Sequence, residues 1–263
     1  MKVITLMTDF GIRDGNVGVM KGVIWEIAPG TSIADLSHNV TPQNVLEGAI
    51  ILGRSAPYFP EGTIHVGVID PGVGTHRRPI AARFGPQWFV GPDNGLCTVL
   101  LDWAEQNHYP IKIVHLDKPQ YWLPKISKVF HGRDIFSPSA AHLAAGVPLE
   151  EMGAEIHDPI RLDLPKPKKV GSDWHGVIIH IDHFGNIATN IREEHLEDMG
   201  DVNVSLCGVK IEGLQQTFGD RDPGDLIALF GSTGNLIVSV VNGDAGTRLQ
   251  AKRGDEVLVT PRS

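Results

Sequence analysis

Cysteine is nearly absent: Cys97 and Cys207 are the only two among 263 residues. Far apart and in no metal-like spacing, they exclude a disulfide framework and read as buried thiols of a reducing compartment. Excess positive charge is absent too. Lys and Arg number 23 against 31 Asp and Glu, a formal net charge of −8, and no basic run exceeds "KPKK" at 166–169. Nucleic-acid binding needs clustered Lys and Arg, so that class is set aside. No stretch approaches the roughly 18 apolar residues of a membrane span. The N-terminal "MKVITLMTDFG" meets Asp9 before a signal-peptide core could form. The expectation is a cytoplasmic protein with neither membrane nor nucleic-acid partners. What remains is an ordinary globular composition, 41% hydrophobic and 21% charged, with no internal repeat. The length suits one large domain or two small ones.

The first half alternates strand-like and helix-like runs. "KVITLMT", "SIADLS", "TIHVGVID" and "IKIVHL" read as strands, and "IAARF" with "QWFVGPDNG" as a hairpin around Gly85-Pro86. "VGVMKGVIWEIA", "NVLEGAIILGRSAPYF", "GLCTVLLDWAEQ" and "FSPSAAHLAAG" have helical apolar spacing. This alternation predicts an α/β domain over residues 1–162 with a mainly parallel sheet. The proline- and lysine-rich segment 163–174 reads as a linker. Short strands then follow to the end, with "REEHLEDM" as the one helix candidate. Residues 175–263 are the size of a small all-β barrel domain.

In a parallel sheet, ligands sit beyond the carboxyl ends of the strands. Asp9 follows the first strand, Asp70 the third, and "GPDNG" follows "QWFV". "TDFG" stands far too early for a kinase. "DPGVGTHRR" lacks the Gly-Lys-Ser/Thr of a P-loop and the last glycine of a dinucleotide fingerprint. Taken locally it is a turn with an Asp70–Arg77 ion pair at its ends. "KVFHGRD" presents His131, Arg133 and Asp134 at a helix entrance, as a capping cluster or as a proton-exchanging histidine. In "HIDHFGNIATN", His180 and Asp182 share one strand face, but a third ligand is missing, so no metal is expected. Ser232, in "FGSTGNL", is followed by a strand and is no nucleophile elbow; a hydroxyl and exposed amides there suit a carboxylate.

Together and in this order, "TDFGIRDGNVGVMKGVI", "VIDPGVGTHRRPI", "FVGPDNG", "FHGRDIFSPSAAHLAAG", "IDHFGNIATNI" and "FGSTGNL…VNG" resemble the S-adenosyl-L-methionine hydroxide adenosyltransferases. That family of S-adenosylmethionine hydrolases is related to the S-adenosylmethionine-dependent fluorinase and chlorinase. The resemblance spans nearly the whole chain. It implies an N-terminal α/β domain, a C-terminal β-barrel, and a homotrimer whose sites lie between subunits. It implies displacement at the ribose C5′ of S-adenosyl-L-methionine by water, giving adenosine and L-methionine, with no cofactor. The hydrolase Asp-Arg-His triad maps onto Asp70, Arg77 and His131; the fluorinase has an aromatic residue in place of Asp70. Asp9 would take the ribose hydroxyls, Asp182 the methionine ammonium, Ser232 its carboxylate, and Phe184 and Asn186 the adenine. Phe10 and Asn94, from the first and third motifs, complete the implied substrate contacts. Thr233 stands where the fluorinase has an arginine, which leaves the second carboxylate contact open. The rival readings are a halogenase and a non-catalytic nucleoside-binding module; the module would not require Asp70, Arg77 and His131 together.

Overall fold

A computed structural model describes residues 2–262. Its contacts divide the chain into two compact units, Met1–Leu162 and Asp163–Ser263.

The first unit contains β1 (Val3–Thr8), α1 (Asn16–Ile27), β2 (Ser32–Ser37), α2 (Val45–Ser55), β3 (Ile64–Val68), β4 (Pro79–Phe84), β5 (Gln87–Pro92), α3 (Thr98–Gln106), β6 (Ile111–His115) and α4 (Ser137–Ala144). The sheet order is β2-β1-β3-β5-β4-β6. All strands run one way except β4, which is antiparallel to both its neighbours and forms the expected hairpin with β5, Phe84 opposite Gln87. Helices cover both faces. Met20 and Ile24 of α1 and Ala140 and Ala141 of α4 pack over Ile4, Leu6 and Val66. On the other face, Leu52 of α2 and Leu100 and Leu101 of α3 pack with Met7, Ile80 and Phe89. Burial on both sides is why β1 and β3 read as continuous apolar runs and not as alternating ones. The side chain of Asn44 starts α2 by accepting from Glu47 N at 3.1 Å and donating to Glu47 Oε2 at 3.0 Å. Pro57 then closes the helix in a 3₁₀ turn.

The chain runs from β1 to β2 on one side, then crosses back to β3 on the other. The sheet therefore reverses its winding between β1 and β3, whose register pairs Thr8 with Val68. In doubly wound sheets such a crevice, at the carboxyl ends of the strands, is where ligands bind.

The second unit contains β7 (Lys168–Val170), β8 (Asp173–Ile181), β9 (Ile187–Arg192), α5 (Glu193–Leu196), β10 (Val202–Leu206), β11 (Val209–Glu212), β12 (Leu226–Phe230), β13 (Asn235–Val240), α6 (Ala245–Leu249) and β14 (Glu256–Pro261). Its eight strands form an antiparallel sheet in the order β11-β10-β14-β8-β9-β13-β12, with β7 on β8. Gln215, just past β11, donates to Ala228 O of β12 at 2.8 Å, drawing the two ends together into a nearly closed barrel. Ile178, Ile187, Val204, Leu236 and Val259 fill its core.

Three sequence expectations change here. The segment read as a linker carries β7, paired with β8 from Lys168 to Val170. A second helix, α6, starts at Asp244, which caps it by accepting from Thr247 N at 2.7 Å. Cys207 is exposed, not buried, because it sits at φ 47° in the tight β10–β11 turn; Cys97 is buried, and burial pushes its thiol up to about 12. Among the described residues no helix is long and apolar enough to cross a membrane, and no group of three metal-binding side chains occurs.

Candidate active site

Asp9 and Asp70 leave neighbouring parallel strands at the winding reversal. They share a cleft of about 270 Å3 with Phe10, Gln43, Phe130 and His131. Each is placed by a local reason. Asp70 ends β3 and opens the Gly72–Gly74 turn, in which Val73 N donates to Asp70 O at 3.1 Å. Gly74 has a φ of 76°, and a Cβ there would meet the Lys128 carbonyl oxygen at 2.2 Å, so a side chain is excluded. The turn returns Arg77 onto Asp70: Nε donates to Oδ1 at 3.1 Å and Nη2 to Oδ2 at 2.5 Å. Both side chains are buried, 6% and 4% exposed. The guanidinium also lies 5.2 Å from the Phe136 ring centroid.

His131 comes from elsewhere in the chain. It opens a π-helical turn, Gly132–Phe136, ahead of α4, a distortion common at functional sites. Arg133 and buried Asp134 are structural. Asp134 takes Arg133 Nε at 2.6 Å and Ser127 N at 2.7 Å, pinning the loop that leads to His131. Arg77 Nη2 lies 3.0 Å from His131 Nδ1. A guanidinium has only donors, so Nδ1 must accept, and the neutral ring carries its proton on Nε2. Burial, and then the charge of Arg77, lower the basicity of this imidazole. Asp70 and His131 line the cleft, while Arg77 stands behind them and holds both.

Asp9 Oδ2 accepts from Gln43 N at 2.7 Å, and Gln43 takes a left-handed φ of 63° to make that bond. Phe10 meets Phe130 edge-on with ring centroids 5.8 Å apart. Gln43 went unnoticed in the sequence, where a Pro-Gln-Asn turn is its sole hint; Phe130 opens the "FHGRD" motif, but nothing local assigns it to the site. Asn94 does not line this cleft. Its side chain donates to Ile69 O at 2.9 Å and accepts from Leu96 N at 3.2 Å, steadying the residue before Asp70.

In the second unit, Asp182, Phe184 and Asn186 form one tight turn between β8 and β9. Asp182 Oδ1 accepts from Phe184 N and Asn186 N, both at 2.9 Å, and Oδ2 from Asn186 Nδ2 at 2.8 Å. Phe184 is 73% exposed. Ser232 lies in the β12–β13 turn, next to the opposite end of β9, since Asn235 pairs with Arg192 and Val238 with Ile187. β9 is bulged between these pairs, so that its residues 187–192 face only residues 235–238 of β13. The three bonds to Asp182 make it the brace of its own turn.

Comparison with known proteins places these features in context. The profile of the SAM hydroxide adenosyltransferase N-terminal domain matches residues 4–153, and that of the C-terminal domain matches residues 176–258. A Salinispora tropica protein named (R)-S-adenosyl-L-methionine hydrolase is 37% identical over 98% of this chain and 97% of its own length. A protein from Actinoplanes sp. named fluorinase is 30% identical over 98% of this chain and 97% of its own. The crystal structure of an uncharacterized conserved protein from Thermotoga maritima superposes with a TM-score of 0.89 at 34% identity, covering 99% of this chain and all of that one.

Proposed function

The chain belongs to the SAM hydroxide adenosyltransferase family, and from that membership we propose that it hydrolyses S-adenosyl-L-methionine to adenosine and L-methionine. The names of its relatives point to the R configuration at the sulfonium. The observation that carries the reading is the Asp70–Arg77–His131 unit at the winding reversal of the sheet.

The oxygen of water attacks C5′, the C5′–S bond breaks, and its electron pair leaves with sulfur as the neutral thioether of methionine. A sulfonium needs no acid to depart, so the barrier lies in placing and desolvating a weak nucleophile. Asp70 keeps lone pairs beyond the two that Arg77 occupies and can accept a hydrogen bond and then the proton. His131, protonated on Nε2 alone, donates to the same oxygen. This acceptor–donor pair suits water. A halide would face the Asp70 carboxylate, which disfavours the halogenase reading. Asp9 takes the ribose hydroxyls beside Phe10. The turn of Phe184 and Asn186 serves the adenine; Asp182, which braces that turn, takes the methionine ammonium, and Ser232 takes its carboxylate. No cofactor enters this scheme.

A cleft of about 270 Å3 is smaller than the roughly 300–1,000 Å3 of most ligand pockets. Together with the family membership, this small cleft supports a homotrimer in which a neighbour's second unit completes each site, and the composition supports a cytoplasmic location. The test is incubation with each sulfonium epimer in high chloride, followed by chromatography of the nucleosides. Adenosine and methionine are expected in equal amounts. A 5′-chloro-nucleoside would make the protein a halogenase, and unconsumed substrate would make it a binding module.

A further inference from the structure

Asp9 sits on the turn Thr8–Gly11, and that turn is fastened from beneath by one residue, His38. Its backbone carbonyl accepts from Gly11 N at 2.7 Å. Its ring Nδ1 lies 3.0 Å from Thr8 Oγ1, which itself accepts from Phe10 N at 3.2 Å. Thr8 is fully buried and His38 is 7% exposed, so neither can touch a ligand in the cleft. The other edge of the ring faces a carboxylate: Nε2 lies at ion-pair distance, 3.0 Å, from Asp35 Oδ1 without the alignment of a hydrogen bond, and Lys21 Nζ donates to Asp35 Oδ2 at 2.7 Å. A carboxylate beside Nε2 favours the tautomer with its proton there, which leaves Nδ1 to take the Thr8 hydroxyl. The chain Lys21–Asp35–His38–Thr8 thus runs from the surface of α1 and β2 to the backbone on either side of Asp9. Gln43 N fixes the Asp9 carboxylate from above, and His38 fixes the peptide that carries it.

We propose that His38 is a positioning residue for the ribose site, setting the orientation in which Asp9 meets the sugar hydroxyls. The inference rests on the reading of Asp9 given above and adds His38, with Asp35 behind it, to the machinery of substrate affinity. Supporting groups of this kind hold a contacting carboxylate near its productive geometry.

The test is calorimetric binding of adenosine and of 2′,3′-dideoxyadenosine to wild type, His38→Ala, Asp9→Ala and the double variant. His38→Ala is expected to weaken adenosine about tenfold, a partial loss of one charge-assisted hydrogen bond, and to leave the dideoxy ligand within about twofold. In the Asp9→Ala background it should have no further effect. In turnover, KM should rise while kcat changes less. If His38→Ala does not fold, Asp35→Ala, cut at the exposed end of the chain, should show the same selective loss to a smaller degree. Equal weakening of both ligands, or an additive effect in the Asp9→Ala background, would reduce His38 to a structural residue and overturn the proposal. A wild type that neither binds adenosine nor releases it would instead overturn the functional reading.

Discussion

Replacing Arg77 by Met removes a guanidinium while keeping a long apolar stem against Phe136. Three hydrogen bonds vanish, two to Asp70 and one to His131. Asp70, 4% exposed, is left as a buried carboxylate without its counter-charge. Breaking a buried pair from one side costs about 3–5 kcal/mol. For a unit of this size that lowers the melting temperature by roughly 6–20 °C. The rate of adenosine release should fall by about 10²–10⁴, because acceptor and donor both lose their orientation. Combining Arg77→Met with Asp70→Asn removes both charges and should recover much of the lost stability. The double variant should nevertheless be no faster than either single one, as expected of groups that act as a unit. Scanning calorimetry and single-turnover assays read the two quantities separately. An Arg77→Met protein that melts within about 1 °C of wild type would refute the buried-pair argument. One that turns over at the wild-type rate would refute the positioning role.

His131→Gln keeps an N–H donor near the Nε2 position but no base, so it should stay within about tenfold of wild type, while His131→Leu loses about 10²–10⁴; equal losses in single-turnover assays would make His131 the proton acceptor. Because burial and Arg77 lower the basicity of His131, the neutral donor form should persist below the ordinary histidine range. His65 is buried between Thr5 Oγ1 (2.8 Å) and Gln87 Oε1 (3.1 Å), and burial lowers its pKa from 6.5 to about 4. The unfolded chain takes up that proton first, so the stability is fully present above pH 6.5 and is lost as pH falls toward 4. About 3 kcal/mol is at stake, and a His65→Gln variant should lose this part of the slope in urea titrations across that window; an unchanged slope would refute it. Mixing inactive Asp70→Asn chains with inactive Asn186→Ala chains should restore some activity through hybrid sites, measured as adenosine release; a fully active, dilution-stable monomer would sink the shared-site reading.

The sequence by itself determined the elements whose signals are local. Apolar periodicity and punctuation by Pro29-Gly30, Pro57 and Gly85-Pro86 mark most strands and helices of the first unit, because those choices are made within a few residues. The Asp70–Arg77 pair was legible for the same reason: a glycine turn can bring back a residue seven positions on. Where the local signal was thin it failed. β7 and β11 span three and four residues and exist through pairing with longer partners, and α6 is a helix of five residues. Tertiary structure alone decided the rest. His131 lies 54 positions from Arg77, and only the packing of the π-helical turn beside β3 shows which ring nitrogen faces the guanidinium. The support that Gln43 and His38 give to Asp9 follows from β1 lying beside β2, whose following segment carries both residues over the end of β1. The relation of the Asp182 turn to the Ser232 turn is a matter of register: a bulge sets residues 187–192 of β9 against residues 235–238 of β13, and no side-chain pattern encodes that shift.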